Sequence, residues 1–195
     1  MRKEKLEELK EIISKLKILQ MKESKYSHFI KTIGYTCTFQ DGTVIEREKI
    51  LKGDKDGSAV IVMPVTSSEE ILTVIEPRVF THSKIGIGFP AGYIEESETA
   101  EVAALRELRE ETGYVPKVIY EIDQFYQDEG CSSAFNHAFI AFDVEKKFDQ
   151  SLDPGELVKY MTFTLDELEE LEGQGLINGA NTKLVLTKAK SFLRR

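Results

Sequence analysis

The 195-residue chain carries 26 Lys and Arg against 34 Asp and Glu, a net charge of −8, with 41% hydrophobic and 31% charged residues. This is the composition of a soluble globular protein, long enough for one sizeable core and an appendage. It argues against nucleic acid as the main partner, since no basic stripe is visible. An anionic protein that handles an anionic substrate needs a metal to reverse the local sign. No run approaches the ~18 apolar residues of a membrane span, and the N-terminal stretch is too charged for a signal peptide. Two cysteines, Cys37 and Cys131, give no disulfide framework and point to structural thiols in a reducing cytoplasm.

In chain order, residues 3–24 predict an amphipathic helix, with Leu6, Leu9, Ile13, Leu16 and Leu19 at helical spacing. That stripe is expected to pack on the rest of the protein or on a second subunit. Strand-like runs at 35–39 and 44–48 flank Asp41-Gly42, a strong hairpin signal, and Tyr35, Cys37 and Phe39 alternate with Thr36 and Thr38, the period of a half-buried strand whose apolar face is turned inward. The polar stretch 53–57 sets a boundary, giving a segment 1–57 and a domain 58–195. The apolar runs AVIVMPV (59–65) and ILTVI (71–75) suit central strands buried on both faces, with Pro64 at a strand end. Glu76-Pro77-Arg78 follows, and Arg78 is a candidate for binding a substrate phosphate, with an ordinary surface arginine as the alternative. Residues 85–89 lead into Pro90-Ala91-Gly92, read as a tight turn.

The organising stretch is GYIEESETAEVAALRELREETGY, 92–114. Thr99 predicts an N-cap, Ala100 the first helical residue, and Gly113 a left-handed C-terminal position. On that helix Glu107, Glu110 and Glu111 share one face by i+3 and i+4 spacing. At 100° per residue Ala100, Ala103 and Ala104 fall beneath them, and Val102, Leu105 and Leu108 fall roughly opposite, predicting a flat, open acidic face. Three carboxylates so close repel one another unless a cation compensates. Arg106, four residues before Glu110, supplies part of that, and a hard divalent ion with oxygen ligands would supply the rest.

Beyond it, 118–125 and 138–144 read as strands around a polar loop, 127–136. A loop at 145–156 carries Asp149, Asp153 and Glu156, and 158–163 is the next strand. Thr164-x-x-Glu167 is a capping box opening a short helix to about Leu171, and a last helix covers 180–193. Intermixed strands and helices point to an α/β sandwich with a mixed sheet. His82 and His137 are assigned surface or packing roles, and nothing in the sequence argues for a role of His28.

Residues 92–114 resemble the Nudix box, G-x5-E-x7-R-E-U-x-E-E-x-G-U, with U a bulky aliphatic residue. Gly92, Glu98, Arg106, Glu107, Glu110, Glu111 and Gly113 fill the fixed positions, and Tyr114 replaces the last aliphatic one. The resemblance implies an α/β/α sandwich that hydrolyses a nucleoside diphosphate linked to another group, using Mg²⁺ or Mn²⁺. It implies Glu107, Glu110 and Glu111 as metal ligands, joined by the carbonyl of Ala91 or Gly92. Glu98 and Arg106 would brace them, with Glu98 also a candidate for binding metal through water.

The N-terminal helix and hairpin, Phe89-Pro90-Ala91-Gly92 and ALRELREETGY are similar to the ADP-ribose and nucleotide-sugar pyrophosphatase branch. That branch usually dimerises through its N-terminal segment, implying a homodimer here. It commonly takes a catalytic glutamate from a loop before a Glu-aliphatic-aliphatic strand, which implies Glu156 of Glu156-Leu157-Val158. A proline usual after the first strand past the box is missing from 127–133, so GDP-mannose-type substrates stay open beside ADP-ribose. Dinucleoside polyphosphate or nucleoside triphosphate hydrolysis, and a non-catalytic nucleotide-sugar sensor, are the rival readings.

Overall fold

The computed structural model describes residues 1–26 and 28–193. Its elements in chain order begin with α1 (Lys3–Lys15), β1 (Ile30–Thr38), β2 (Val44–Lys52), β3 (Ala59–Val65) and β4 (Ile71–Pro77). Then come β5 (Ile85–Gly88), β6 (Ala91–Tyr93), α2 (Ala100–Thr112), β7 (Tyr114–Val115), β8 (Val118–Tyr126) and β9 (Phe135–Phe142). The chain closes with β10 (Glu145–Lys146), β11 (Lys159–Phe163), α3 (Leu165–Gly173) and α4 (Ala180–Leu193).

The continuous apolar runs become the centre of a seven-stranded mixed sheet ordered β11-β4-β3-β9-β8, with β5 added on β4 and β6 on β3. Strands β3 and β9 are parallel, while β4 meets β11 and β5 antiparallel. Because successive strand residues face opposite ways, each run feeds two cores at once. Val60, Val62, Leu72, Phe139 and Ala141 pack with Ala103, Ala104 and Leu108 of α2. Ile61, Met63, Ile75 and Ile140 pack on the other side with Leu9, Leu168, Val185 and Leu186 from α1, α3 and α4. Helices therefore cover both faces, the expected α/β/α sandwich. Thr164 caps α3 through the predicted reciprocal box, its hydroxyl accepting from the Glu167 amide at 3.2 Å and its amide donating to the Glu167 carboxylate at 3.0 Å.

Several expectations change. The first helix stops at Lys15, because Leu16 is the last residue of the stripe to find the core, and Leu19 beyond it is 97% exposed. Without tertiary packing a further turn has little to hold it. The helix belongs to this chain's own core: Lys5 Nζ reaches Glu167 at 2.9 Å and Glu70 at 3.1 Å. Strands β1 and β2 are longer than their alternation suggested and pair over nine residues each, yet their predicted buried face lies at the surface, since the two-stranded ribbon has no second layer. Tyr35 and Phe39 are both about half exposed. Ala91 and Gly92 form a short strand on β3, not a tight turn. Pro64 is the penultimate residue of β3. The 145–156 loop opens with β10, which pairs with β7. No described helix is long and apolar enough to cross a membrane.

Replacing Thr164 with Ala removes the α3 cap and should cost about 1 kcal/mol, read as a lower denaturant midpoint with an unchanged m-value.

Candidate active site

Helix α2 forms where the sequence predicts it. The Thr99 hydroxyl accepts from the Val102 amide at 3.3 Å, Glu101 sits in the first turn and Arg109 in the last. Gly113 ends the helix at φ 79°, donating its amide to Arg109 O at 2.7 Å. A side chain at Gly113 would be doubly excluded, because a Cβ would lie 2.0 Å from the Phe148 carbonyl oxygen.

The acidic face is not the open one predicted. Ala103, Ala104 and Leu108 are all buried against the sheet, and Val102 is the exposed residue. Leu108 stands only 60° around the helix from Glu111 at 100° per residue, so the sheet covers both. Glu111 is 7% exposed, and its Oε2 accepts the Ala91 amide at 3.3 Å. The small alanines let α2 approach β3 and β6 closely, and that approach draws the glutamates down to the sheet edge. Gly92 shows how tight it is: a Cβ there would stand 1.9 Å from Glu107 Oε1.

Arg106 ties the cluster together. Its guanidinium reaches Glu98 through Nε at 2.8 Å and Nη2 at 3.0 Å, and Tyr93 O at 3.0 Å. Nη1 reaches Glu107 at 2.7 Å and Glu110 at 3.2 Å. These bonds, that to Glu98 foremost, hold the guanidinium's proton more firmly than usual despite partial burial. Both oxygens of Glu98 are engaged by Arg106, and Glu98 does not line the cleft described next.

Glu107, Glu110 and Glu111 line one side of a cleft of about 630 Å³, with Ala91, Gly92 and Arg106 beside them. Arg78 and Glu156 line it too, so of the sequence-predicted residues Glu98 alone stands outside it. No histidine among the described residues lines it. Glu156 lies on an exposed loop and its Oε2 accepts the Asp153 amide at 3.0 Å. Its backbone amide donates to Asp153 O, with Gly155 at φ 96°, the form of a Pro-Gly type II turn.

Two lining acids, Glu76 and the exposed Glu95, have no place in the sequence reading. Glu76, at the end of β4, pairs with Arg78 at 2.5 Å. An acid closing a central strand that is apolar but for Thr73 was the available signal, since burial of ILTVI carries the next side chain inward. Burial pushes Glu76 above the usual carboxylate range, and Arg78 opposes this. Glu107 is raised by burial as well, with Arg106 opposing and Glu110 adding. Glu111 is raised well above the range, first by burial and then by the charges of Glu76 and Glu107.

Residues 55–181 match the NUDIX domain family model. The chain belongs to the Nudix family. Among its curated relatives, the ADP-ribose pyrophosphatase of Bacillus subtilis (strain 168) is 37% identical over 120 residues, 60% of this chain and 63% of that protein. The ADP-sugar pyrophosphatase of Mus musculus is 33% identical over 118 residues, 59% of this chain and 54% of the mouse protein. The match thus spans less than two thirds of either relative. In fold the chain is similar to a crystal structure of an ADP compounds hydrolase, with a TM-score of 0.74, 21% identity, and coverage of 91% of this chain and 94% of that one.

Nudix hydrolases generally need divalent cations, and the donor set here suits one. Among the described residues no group of three or more His, Cys, Asp or Glu side chains is placed to hold a metal ion as it stands. Converging carboxylates whose charged forms are disfavoured are, however, what a hard cation with oxygen ligands would relieve.

Two outcomes follow from this crowding. An acid whose pKa is raised by folding is best tolerated below its unfolded pKa and destabilises as pH rises through its folded value. In EDTA, Glu111→Gln should therefore raise stability at pH 7–8 by ~1–2 kcal/mol, with the advantage vanishing towards pH 4; thermal melts across that range check the sign. Gly92→Ala should displace Glu107, weakening divalent-ion binding at least ~10-fold in calorimetry while the fold, read by circular dichroism, persists.

Proposed function

We propose that the chain hydrolyses the pyrophosphate bond of a nucleoside diphosphate sugar such as ADP-ribose, releasing a nucleoside monophosphate and a sugar phosphate. The observation that carries this reading is Glu111, buried in the cleft among Glu107 and Glu76 with too little cationic compensation of its own. The similarity to the Bacillus ADP-ribose pyrophosphatase and the mouse ADP-sugar pyrophosphatase supports the substrate class.

In this reading Glu107 and Glu111 would hold Mg²⁺, with Mn²⁺ as a substitute, helped by Glu110 and the Ala91 carbonyl. The ion would supply charge neutralisation at the phosphoryl oxygens and a more acidic water. Glu98 acts only through Arg106, which fixes the rotamers of Glu107 and Glu110. Arg78 binds a substrate phosphate, its own charge steadied by Glu76. Glu156 takes the proton of the attacking water once its carboxylate turns from the Asp153 amide towards the acids. As water oxygen bonds to phosphorus, the bridging P–O bond breaks and the second phosphate leaves.

The hairpin supports a homodimer and a division of labour along the chain. Ile33 and Tyr35 of β1, with Phe39 just past its end, leave apolar area uncovered on one face of the hairpin, a surface that a second copy would bury. Of the segment 1–57, α1 serves the core of its own chain and the hairpin serves the partner; the domain 58–195 carries the chemistry. We place the protein in the cytoplasm, where Cys37 and Cys131 stay reduced.

A panel of ADP-ribose, GDP-mannose, dinucleoside polyphosphates and nucleoside triphosphates with Mg²⁺ tests the reading. ADP-ribose should yield monophosphate, EDTA should stop it, and Glu111→Gln should lower kcat at least ~100-fold. Tight binding of ADP-ribose without turnover would instead make the chain a sensor.

A further inference from the structure

We propose that Gln150 is a positioning residue that fixes Glu156 relative to the acids of α2. The last turn of a helix leaves carbonyls without intrahelical partners, and in α2 the segment after β10 supplies them. Lys147 N and Phe148 N both donate to Gly113 O at 3.0 Å, and Ser151 N donates to Glu110 O at 2.9 Å. The half-buried Gln150 is the side chain in this set. Its Nε2 donates to Glu111 O at 2.5 Å and to Val158 O at 3.3 Å. Two carbonyl acceptors leave the amide only one orientation, NH₂ inward.

The loop 151–157 therefore begins one residue after Gln150 and ends one residue before the carbonyl Gln150 holds. One side-chain amide closes this loop at its base and pins that base to the backbone of Glu111, whose carboxylate lies in the cleft. Within the loop, Ser151 and residues 153–157 are exposed, and Val158 is buried immediately after. Its internal order comes from the Pro154-Gly155 turn, which holds Glu156 to Asp153 and says nothing about where the turn stands over the cleft. That placement falls to the Ser151 amide bond and to Gln150. A shift of about an ångström at a reacting group is enough to cost large factors in rate.

The proposal rests on Glu156 acting in the reaction proposed above, so its test is a double-mutant cycle with Glu156→Gln. With ADP-ribose and Mg²⁺, Gln150→Ala should lower kcat ~10–100-fold with KM within ~3-fold, and by under ~2-fold when Glu156 is already Gln. Gln150→Glu, equal in size but unable to donate when ionised, should match it. By amide exchange in EDTA, Ser151 should lose protection in Gln150→Ala while the central amides of α2 keep theirs. Unchanged kcat, equal losses in both backgrounds, wild-type turnover in Glu156→Gln, or exchange spread through α2 with KM and kcat falling together would each overturn it. If the wild type leaves ADP-ribose uncleaved, the proposed reaction fails by itself, and unchanged protection at Ser151 would sink the tie independently.

Discussion

The structure is built around a charge conflict: carboxylates of Glu76, Glu107 and Glu111 brought together where little water reaches them. Burial is the largest cause of the raised proton affinity of each; the charges of Glu76 and Glu107 add to it at Glu111, and that of Glu110 at Glu107. Such a cluster destabilises the free protein, so something else must hold it in place. The hold comes from packing. Ala103, Ala104 and Leu108 fix α2 on β3 and β9, and the rigidity of that apolar contact sets how near the acids come to the sheet. Arg106 then compensates part of the charge and spends its fork on orientation, bridging Glu98, Glu107, Glu110 and the Tyr93 carbonyl.

Two glycines are what this close approach requires. At Gly92 the backbone of β6 meets the Glu107 carboxylate with no room for a methyl group. At Gly113 the left-handed end of α2 lies against the Phe148 carbonyl. Gly92 lies beside Glu107 in the interior of α2, where the helix faces the sheet, and Gly113 closes its C-terminal end against the segment leading to Glu156. Spacing in the sequence shows that glycines stand at these positions; only packing shows what each is making room for.

Local signals were legible and relative placement was not. Caps at Thr99 and Thr164, the left-handed Gly113, and the double-faced runs in β3 and β4 are decided by neighbours within a few residues, and all appear as read. The wheel of α2 went wrong because periodicity orders residues around an axis without saying where the sheet lies. Alanines beneath acids suggested a floor for an open face, whereas they are the contact itself. Leu19 and the β1 alternation failed for a related reason: an apolar period is buried only where a second layer exists. Glu76 went unread because an acid near the end of a strand looks like a solvated end until β4, which holds it, is seen to run into the cleft.

The same logic bears on how Glu156 is placed. Its loop has almost no apolar anchor between Gln150 and Val158, so its position cannot come from packing as that of Glu111 does. It is set instead by hydrogen bonds to carbonyls that α2 must leave open at its end. Helix termination thereby does a second task. The unsatisfied end of α2 becomes the docking point of the segment that carries Glu156, so hydrogen bonds tie the two sets of acids together across the forty-five positions from Glu111 to Glu156.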